Sequence, residues 1–222
     1  MIKISVIVRT YNSGKFVKKA IDSALNQTLD KKKYEIVVVD DGSKDNTLGI
    51  LKDFKEKVRL VKQKHLGARA ASRNGIKKSR GRYIMFLDSD DEILPETLKK
   101  MLKAFNDASV DYAYCDYFEK IGKYTKKVSL AKNIFNSLWT TIMIKKDLFK
   151  EIGFPDPKMF FGEYDFLIKL MRAKKIGKHI EEPLYIYNRG EGTMTSDKNM
   201  VERGINQIRE KYVNIAEKIR KY

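Results

Sequence analysis

Four apolar segments in the first half of the chain alternate with four amphipathic ones, and this alternation constrains the fold more than any other feature. "KISVIVRTY" (3–11), "YEIVVVDDGS" (34–43), "VRLVKQ" (58–63) and "RYIMFLD" (82–88) are short and rich in β-branched residues, as buried strands are. Between them, Phe16, Val17, Ala20, Ile21, Ala24 and Leu25 recur at helical spacing. Leu48, Leu51, Phe54 and Val58 share a second helical face, with Asp45 as its N-cap. "GARAASRNGIKKS" (67–79) reads as a helix weakened by Gly75, and "PETLKKMLKAF" (95–105) opens on a helix-starting proline with Leu98, Met101, Leu102 and Phe105 on one stripe. Strand and helix in this order predict an α/β fold with a mostly parallel central sheet and helices on both faces. Ligands of such sheets sit beyond the carboxyl ends of the strands. Those ends carry "RTYN", "VDDGS" and "LDSDD", so three polar clusters are expected to meet on one edge.

The second half loses the alternation. "VDYAYCDYFEKIGKYTKKVSL" reads as two strands around a turn at Gly122, and "WTTIMIKKDLFKEIGF" mixes strand and helix signals. "GEYDFLIKLMRAKK" (162–175) is a helix, and "KHIEEPLYIYN" a strand that Pro183 pushes towards an edge. Without a repeat, low-complexity tract or linker, residues 1–196 form one domain, with halves at 1–110 and 111–196. Residues 197–222 form a basic C-terminal helix, in which Val201, Ile205, Ile208, Tyr212, Ile215 and Ile219 make a narrow seam. Three readings stay open for it: a helix laid over the domain, a homodimer contact, or a membrane-surface helix.

Composition narrows the function classes. A hydrophobic content of 42% excludes global disorder, and the single cysteine, Cys115, excludes an intramolecular disulfide framework and suits a reducing compartment. No apolar run approaches the ~20 residues of a spanning helix, and the apolar start "MIKISVIVRTYNSG" lacks a cleavage site, so a cytoplasmic protein is expected. The formal charge of +17 suits nucleic acid, anionic lipid or phosphate-bearing substrates, and equally a heavily charged, solvated surface.

Within so basic a chain, Asp88, Asp90 and Asp91 crowd the end of the fourth strand. Asp91 and Glu92 fit the positive end of the helix that follows, but Asp88 does not. An Asp-x-Asp pair of this kind suits Mg2+ or Mn2+, which take one or two carboxylates and complete their shell with phosphate and water. Asp40 or Asp41 is placed to bond a base or ribose, although Asp-Asp-Gly-Ser is also good turn chemistry. No Gly-rich phosphate fingerprint is present, which argues against ATPase and dehydrogenase readings.

"ISVIVRTYN", "AIDSALNQT", "EIVVVDDGSKDNT", "RGRYIMFLDSDDEILPETL" and "KDLFKEIGF" together resemble the glycosyltransferase family 2 pattern, in order and up to about Tyr187. The resemblance implies a GT-A (Rossmann-like) fold and an inverting transferase of the hexosyltransferase class. Its donor would be a nucleotide-diphosphate sugar and its cofactor Mn2+ or Mg2+. The first half would bind the donor and the second the acceptor. Thr10 and Tyr11 match positions that line the nucleotide, Asp41 the acid on the base edge, Asp88 the first acid of the metal motif near the ribose, and Asp90 the direct metal ligand. Glu163 matches the catalytic base, with Asp165 as its rival. The chain departs from the family by placing Ser72 where an arginine is common, leaving Arg69 or Arg73 to contact the phosphates. It also has Gly162 before Glu163, and "NRGEGTMTS" (188–196) contains no histidine, so no histidine ligand is expected there. His65 and His179 read as surface or loop residues. The Gln-x-x-Arg-Trp signature of processive synthases is missing, which favours one-sugar transfer. Trp139, the only tryptophan, is either a sugar platform or a packing residue.

The acid at Asp41 suits the imide N–H of uracil or thymine and favours a UDP-sugar, although guanine also offers donors, and the acceptor would be a glycan or a lipid-linked hydroxyl. Two other classes compete: a sugar-phosphate nucleotidyltransferase, which lacks its usual Gly-rich loop here, and a non-catalytic nucleic-acid module, whose aromatic-basic motifs are missing. Nucleic acid is therefore not an expected partner.

Overall fold

A computed structural model describes residues 1–131, 134–156, 158–190 and 198–212. The first half follows the expected alternation: β1 (Ile4–Thr10), α1 (Val17–Leu25), β2 (Tyr34–Asp40), α2 (Thr47–Leu51), β3 (Arg59–Lys62), α3 (Ala68–Lys78) and β4 (Tyr83–Asp88). Then come β5 (Glu92–Ile93), α4 (Thr97–Ala104), β6 (Tyr112–Ile121), β7 (Tyr124–Val128), β8 (Ile142–Lys145), α5 (Leu148–Glu151), α6 (Gly162–Arg172), β9 (Gly177–Asn188) and α7 (Lys198–Lys211). Among the described residues the strands form one sheet in the order β3-β2-β1-β4-β8-β6-β9-β5, with β7 paired to β6. Pairing is parallel from β3 to β4 and between β6 and β9, and antiparallel where β8 enters. This mixed, largely parallel sheet is the α/β architecture that the alternation predicts.

Side chains of successive strand residues leave opposite faces, so a sheet covered on both sides reads as continuous apolar runs. Val6, Val8, Val38, Met85 and Leu87 enter one core with α1 and α4. Ile7, Val37, Val39, Ile84 and Phe86 enter the other with residues of α3, α6 and α7. Gly75 has a specific role on this second face. A Cβ there would lie 2.5 Å from Ile7 Cγ2 and 3.2 Å from Val39 Cγ2, so its bare backbone lets α3 settle directly onto the sheet.

Pro183 lies where β9 is paired on one side only: it sits opposite Asp116 at a register shift with β6, and β5 reaches only Tyr185 and Ile186. Of the three readings left open for the C-terminal helix, the structure has the helix laid over its own domain, since Val201, Ile205, Ile208 and Tyr212 are all buried in the second core. These four positions are therefore unavailable to a partner subunit or a membrane; Ile215 and Ile219 lie outside the described residues. At Gly204 a Cβ would come within 2.7 Å of Phe161 Cδ2, so α7 crosses in direct contact with the segment that leads into α6. No described helix is long and apolar enough to cross a membrane.

Candidate active site

The three strand-end clusters do converge. Asp41 N–H donates to Thr10 O at 2.9 Å, and Thr10 is registered beside Asp40 while Arg9 is registered beside Asp88. Buried polar atoms ordinarily find partners. Among the described residues, five buried side-chain nitrogen or oxygen atoms have none, and three of them lie here: Arg9 Nε, Thr10 Oγ1 and Asp40 Oδ1. These three atoms lie at the sheet edge where the strand-end clusters meet.

On the β2 side, Asp41 is buried and organises the loop before α3. Its Oδ1 accepts from Gln63 Nε2 at 2.6 Å and Leu66 N at 2.9 Å, and its Oδ2 from Gly67 N at 2.8 Å. His65 Nδ1 approaches Oδ2 at 2.9 Å. Burial pushes the Asp41 carboxyl up, but these donors and the His65 charge outweigh it and leave it below the usual range. Gly67 takes φ +88°, the left-handed region in which glycine is unstrained. Tyr11 is exposed and stacks on His65, with ring centroids 3.9 Å apart and planes 18° from parallel. His65 is thus a loop residue, as expected, but one built into the site.

The β4 acids have three different environments. Asp88 pairs with Arg9 through Arg9 Nη2 and Asp88 Oδ1. Asp90 is exposed, and the surrounding protein, then the charge of Asp88, raise its carboxyl above the usual range. Asp91 is buried and does not serve the following helix: Oδ2 accepts from Tyr185 OH at 2.7 Å and Oδ1 from Asn188 N at 2.8 Å. Desolvation, then Asp88, push Asp91 up to about 8. Glu92 pairs with Lys19 at 2.6 Å. Asn188 Nδ2 also donates to Asp90 O at 2.7 Å, so the end of β9 holds the backbone of the acidic loop.

Glu163 and Asp165 share the first turn of α6, yet their surroundings separate them. Asp165 is fully buried: Oδ1 accepts from Tyr212 OH at 2.6 Å and Lys211 Nζ at 2.9 Å, and Oδ2 from Asp156 N at 2.8 Å and Lys169 Nζ at 2.9 Å. Although burial opposes it, this shell holds the carboxyl down to about 2. Asp165 is therefore a structural anchor for α7. Glu163 is half-buried, and no hydrogen bond or ion pair joins its carboxylate to another described residue. Desolvation raises its pKa; Arg9 and Arg69 draw it back, and Asp88 raises it again, so all three lie within electrostatic reach. Placement at a helix N-terminus, which favours the anion, does not prevail over burial here.

The other expected residues are placed as follows. Arg69 Nη2 donates to Met159 O and, at 2.8 Å, to Phe160 O, so it ties α3 to the segment before Glu163. Gly162 leaves room for it, since a Cβ there would meet Arg69 Nε at 3.4 Å and Pro155 Cβ at 3.2 Å. Arg73 lies over the Phe154 ring, 4.9 Å from its centroid. The guanidinium that meets Asp88 is that of Arg9, which the sequence reading passed over. The available signal was one charged residue inside the apolar run "ISVIVRT". Trp139 packs in the core against Phe86, Phe149 and Phe166 rather than standing as a platform. His179 is on β9, largely covered, and bonds Asp116 at 2.7 Å, so it is neither a surface nor a loop residue. Residues 191–197 of the histidine-free stretch lie outside the described residues.

Among the described residues no three His, Cys, Asp or Glu side chains gather as a metal cage. The residues present fit a different arrangement: Asp90 exposed, Asp88 with only Oδ1 engaged by Arg9, and unsatisfied groups alongside. Mg2+ and Mn2+ held jointly by one or two carboxylates and a phosphate-bearing ligand match that donor set.

Comparison with known proteins agrees with the geometry. The chain is 33% identical over 165 residues to the Staphylococcus aureus poly(ribitol-phosphate) beta-N-acetylglucosaminyltransferase TarP, covering 67% of this chain and 50% of that protein. The crystal structure of S. aureus TarS 1–349 with UDP-GlcNAc superposes with a TM-score of 0.73 at 25% identity, over 98% of this chain and 69% of that one. The mannosyltransferase PcManGT of Pyrobaculum calidifontis, solved with GDP-Man and Mn2+, shares the fold at a TM-score of 0.77 and 16% identity, over 96% and 64% of the two chains. Across curated relatives from Rickettsia, Mycoplasma and Haemophilus, this chain spans 33% to 80% of their length. The family model for "Glycosyl transferase family 2" matches residues 5–171, from the first strand through α6 and both groups of acids. By sequence over residues 5–171 and by architecture, this chain belongs to glycosyltransferase family 2.

Proposed function

We propose that the chain transfers one hexose-type sugar, with inversion, from a nucleotide diphosphate donor to an acceptor hydroxyl, with Mn2+ or Mg2+ bound. The observation that carries this reading is the isolated carboxylate of Glu163, raised by burial and lying within electrostatic reach of Asp88, Arg9 and Arg69. A carboxylate with a raised pKa is a better proton acceptor, and general-base assistance of this kind is typically worth ~10²–10⁴ in rate. Glu163 takes the proton of the acceptor hydroxyl as that oxygen attacks the anomeric carbon from the face opposite the departing diphosphate. Asp88 and Asp90 would hold the cation, which when bound supplies electrostatic stabilisation of the diphosphate.

Residues 1–110 form the donor half and 111–196 the acceptor half. The exposed ring of Tyr11 lies where a base can pack, with Thr10 beside it. All four partners of Asp41 come from the 63–67 loop, so an imide N–H of uracil reaches its carboxylate by displacing His65, the partner with an exposed side chain. This polarity favours UDP, and the TarS complex with UDP-GlcNAc is consistent with it. A glycan or lipid-linked acceptor carrying phosphate, such as the poly(ribitol-phosphate) named for TarP, would complement the charge of +17. The reaction is placed in the cytoplasm, at the membrane's inner face when the acceptor is a lipid.

A thermal-shift panel of sugar nucleotides with and without Mn2+, followed by transfer with the best donor and identification of the product anomer, tests this. A ligand that binds only the folded chain raises the midpoint. The expected result is a Mn2+-dependent rise with a UDP-sugar and an inverted product. Pyrophosphate release from a nucleoside triphosphate and a sugar phosphate would instead favour a nucleotidyltransferase.

A further inference from the structure

Arg9 is the residue around which the acids are arranged. It stands in β1 directly beside Asp88 of β4, and its side chain is only 15% exposed, so it does not reach into solvent as surface arginines do. Nη2 pairs with Asp88 Oδ1, and Nη1 donates to Ser72 Oγ at 3.2 Å; Ser72 Oγ in turn donates to Ala68 O at 2.9 Å. The guanidinium lies 5.5 Å from the centroid of the Phe86 ring, and its buried Nε has no partner. A planar fork is well suited to joining two fixed groups on different elements, which an ammonium cannot do with the same geometry.

Ser72 is within reach because Gly75, three residues on, lets α3 sit against Ile7 and Val39. An arginine at position 72 would enter the volume the Arg9 guanidinium already fills and bring two like charges together over Phe86. Arg9 and an arginine at 72 are thus alternatives for one place, reached from the sheet or from the helix.

We propose that Arg9 is a positioning residue for transfer: it holds Asp88 by one oxygen, leaving the other for the cation and donor. The proposal deepens the transferase reading and rests on it for the role of Asp88, but the exclusion between positions 9 and 72 is independent of that reading.

The test uses R9M, which keeps an unbranched apolar stem and removes the guanidinium, together with R9K, S72R and R9M/S72R. Melting of the wild type, R9M, S72R and R9M/S72R without ligand reports the exclusion as a cycle. S72R is expected to lower the midpoint more in the Arg9 background than in the R9M background; equal losses in both would overturn the shared-place argument. R9M is expected to lose about 10–100-fold in kcat/KM, as loss of an outer support typically does, and to weaken Mn2+-dependent UDP binding measured by calorimetry. R9K should resemble R9M, and R9M/S72R should recover part of the lost kcat/KM. A folded R9M with wild-type Mn2+-dependent UDP binding, or an R9K equal to wild type, would refute the positioning role. If the wild type transfers no sugar with any donor, the functional reading fails, while the melting cycle still decides the exclusion.

Discussion

The hydroxyl of Tyr212, at the turn that closes α7, donates a 2.6 Å hydrogen bond to Asp165 Oδ1 in a fully buried position on α6. With Lys211 and Lys169 on the same carboxylate, this contact fastens the C-terminal helix to the element that carries Glu163. The Asp165 carboxyl is held at about 2, against an ordinary 3.8. A lowered carboxyl stabilises the fold above its unfolded pKa, and that stability is lost as pH falls through the folded value. The contribution is about 2 kcal/mol at neutral pH and declines between about pH 5 and pH 1. Asp165→Asn, which leaves two lysines facing a neutral group, is expected to cost about 3–5 kcal/mol at pH 7. Urea melts at several pH values check both statements, since the gap between variant and wild type should narrow in acid.

Glu163→Gln removes the base while preserving shape. Transfer should fall by about 10²–10⁴, with donor binding retained. Because the Glu163 carboxyl is raised, the acid limb of the wild-type rate should lie above the ordinary glutamate value of 4.5, with activity rising as pH passes through it. Steady-state kinetics across pH, paired with calorimetry of the nucleotide, separate these effects.

Asp90 is exposed at the end of the acidic loop and takes no part in holding the core. Asp90→Ala should therefore melt as the wild type does without ligand and lose the Mn2+-dependent rise with a UDP-sugar. At a ligand concentration of 100 Kd that rise corresponds to about 2.7 kcal/mol. A variant that keeps the full rise would place the cation elsewhere.

Gly75→Ala is a structural probe of the same edge. The added methyl meets Ile7 Cγ2 at 2.5 Å, closer than real contacts allow, so α3 must lift. The cost should be about 1–3 kcal/mol, typical of overpacking. Lifting α3 also withdraws Ser72 from Arg9, so kcat/KM should fall further than stability alone explains. Chemical denaturation and kinetics on one preparation compare the two.

The strands, the helices of the first half and the meeting of "RTYN", "VDDGS" and "LDSDD" were legible in the sequence because they follow from local periodicity and from one rule about parallel sheets. So was the hairpin around Gly122, whose φ of +56° is the left-handed conformation such turns use. Partners were not legible. Glu163 and Asp165 lie two apart, about 200° around a helix with 3.6 residues per turn, so one is half-buried and the other fully buried. No local pattern says which; the arrival of Lys211 and Tyr212 from far along the chain decides it. Asp91 likewise looked like a helix-end acid, and only the approach of β9 showed it holding Tyr185 and Asn188. Chemistry-bearing residue types follow from the order of amino acids, because strand and helix formation are local. Which of them remain free to act is a tertiary matter, because a buried carboxylate is governed by whatever donors the folded chain brings within about 3 Å of it.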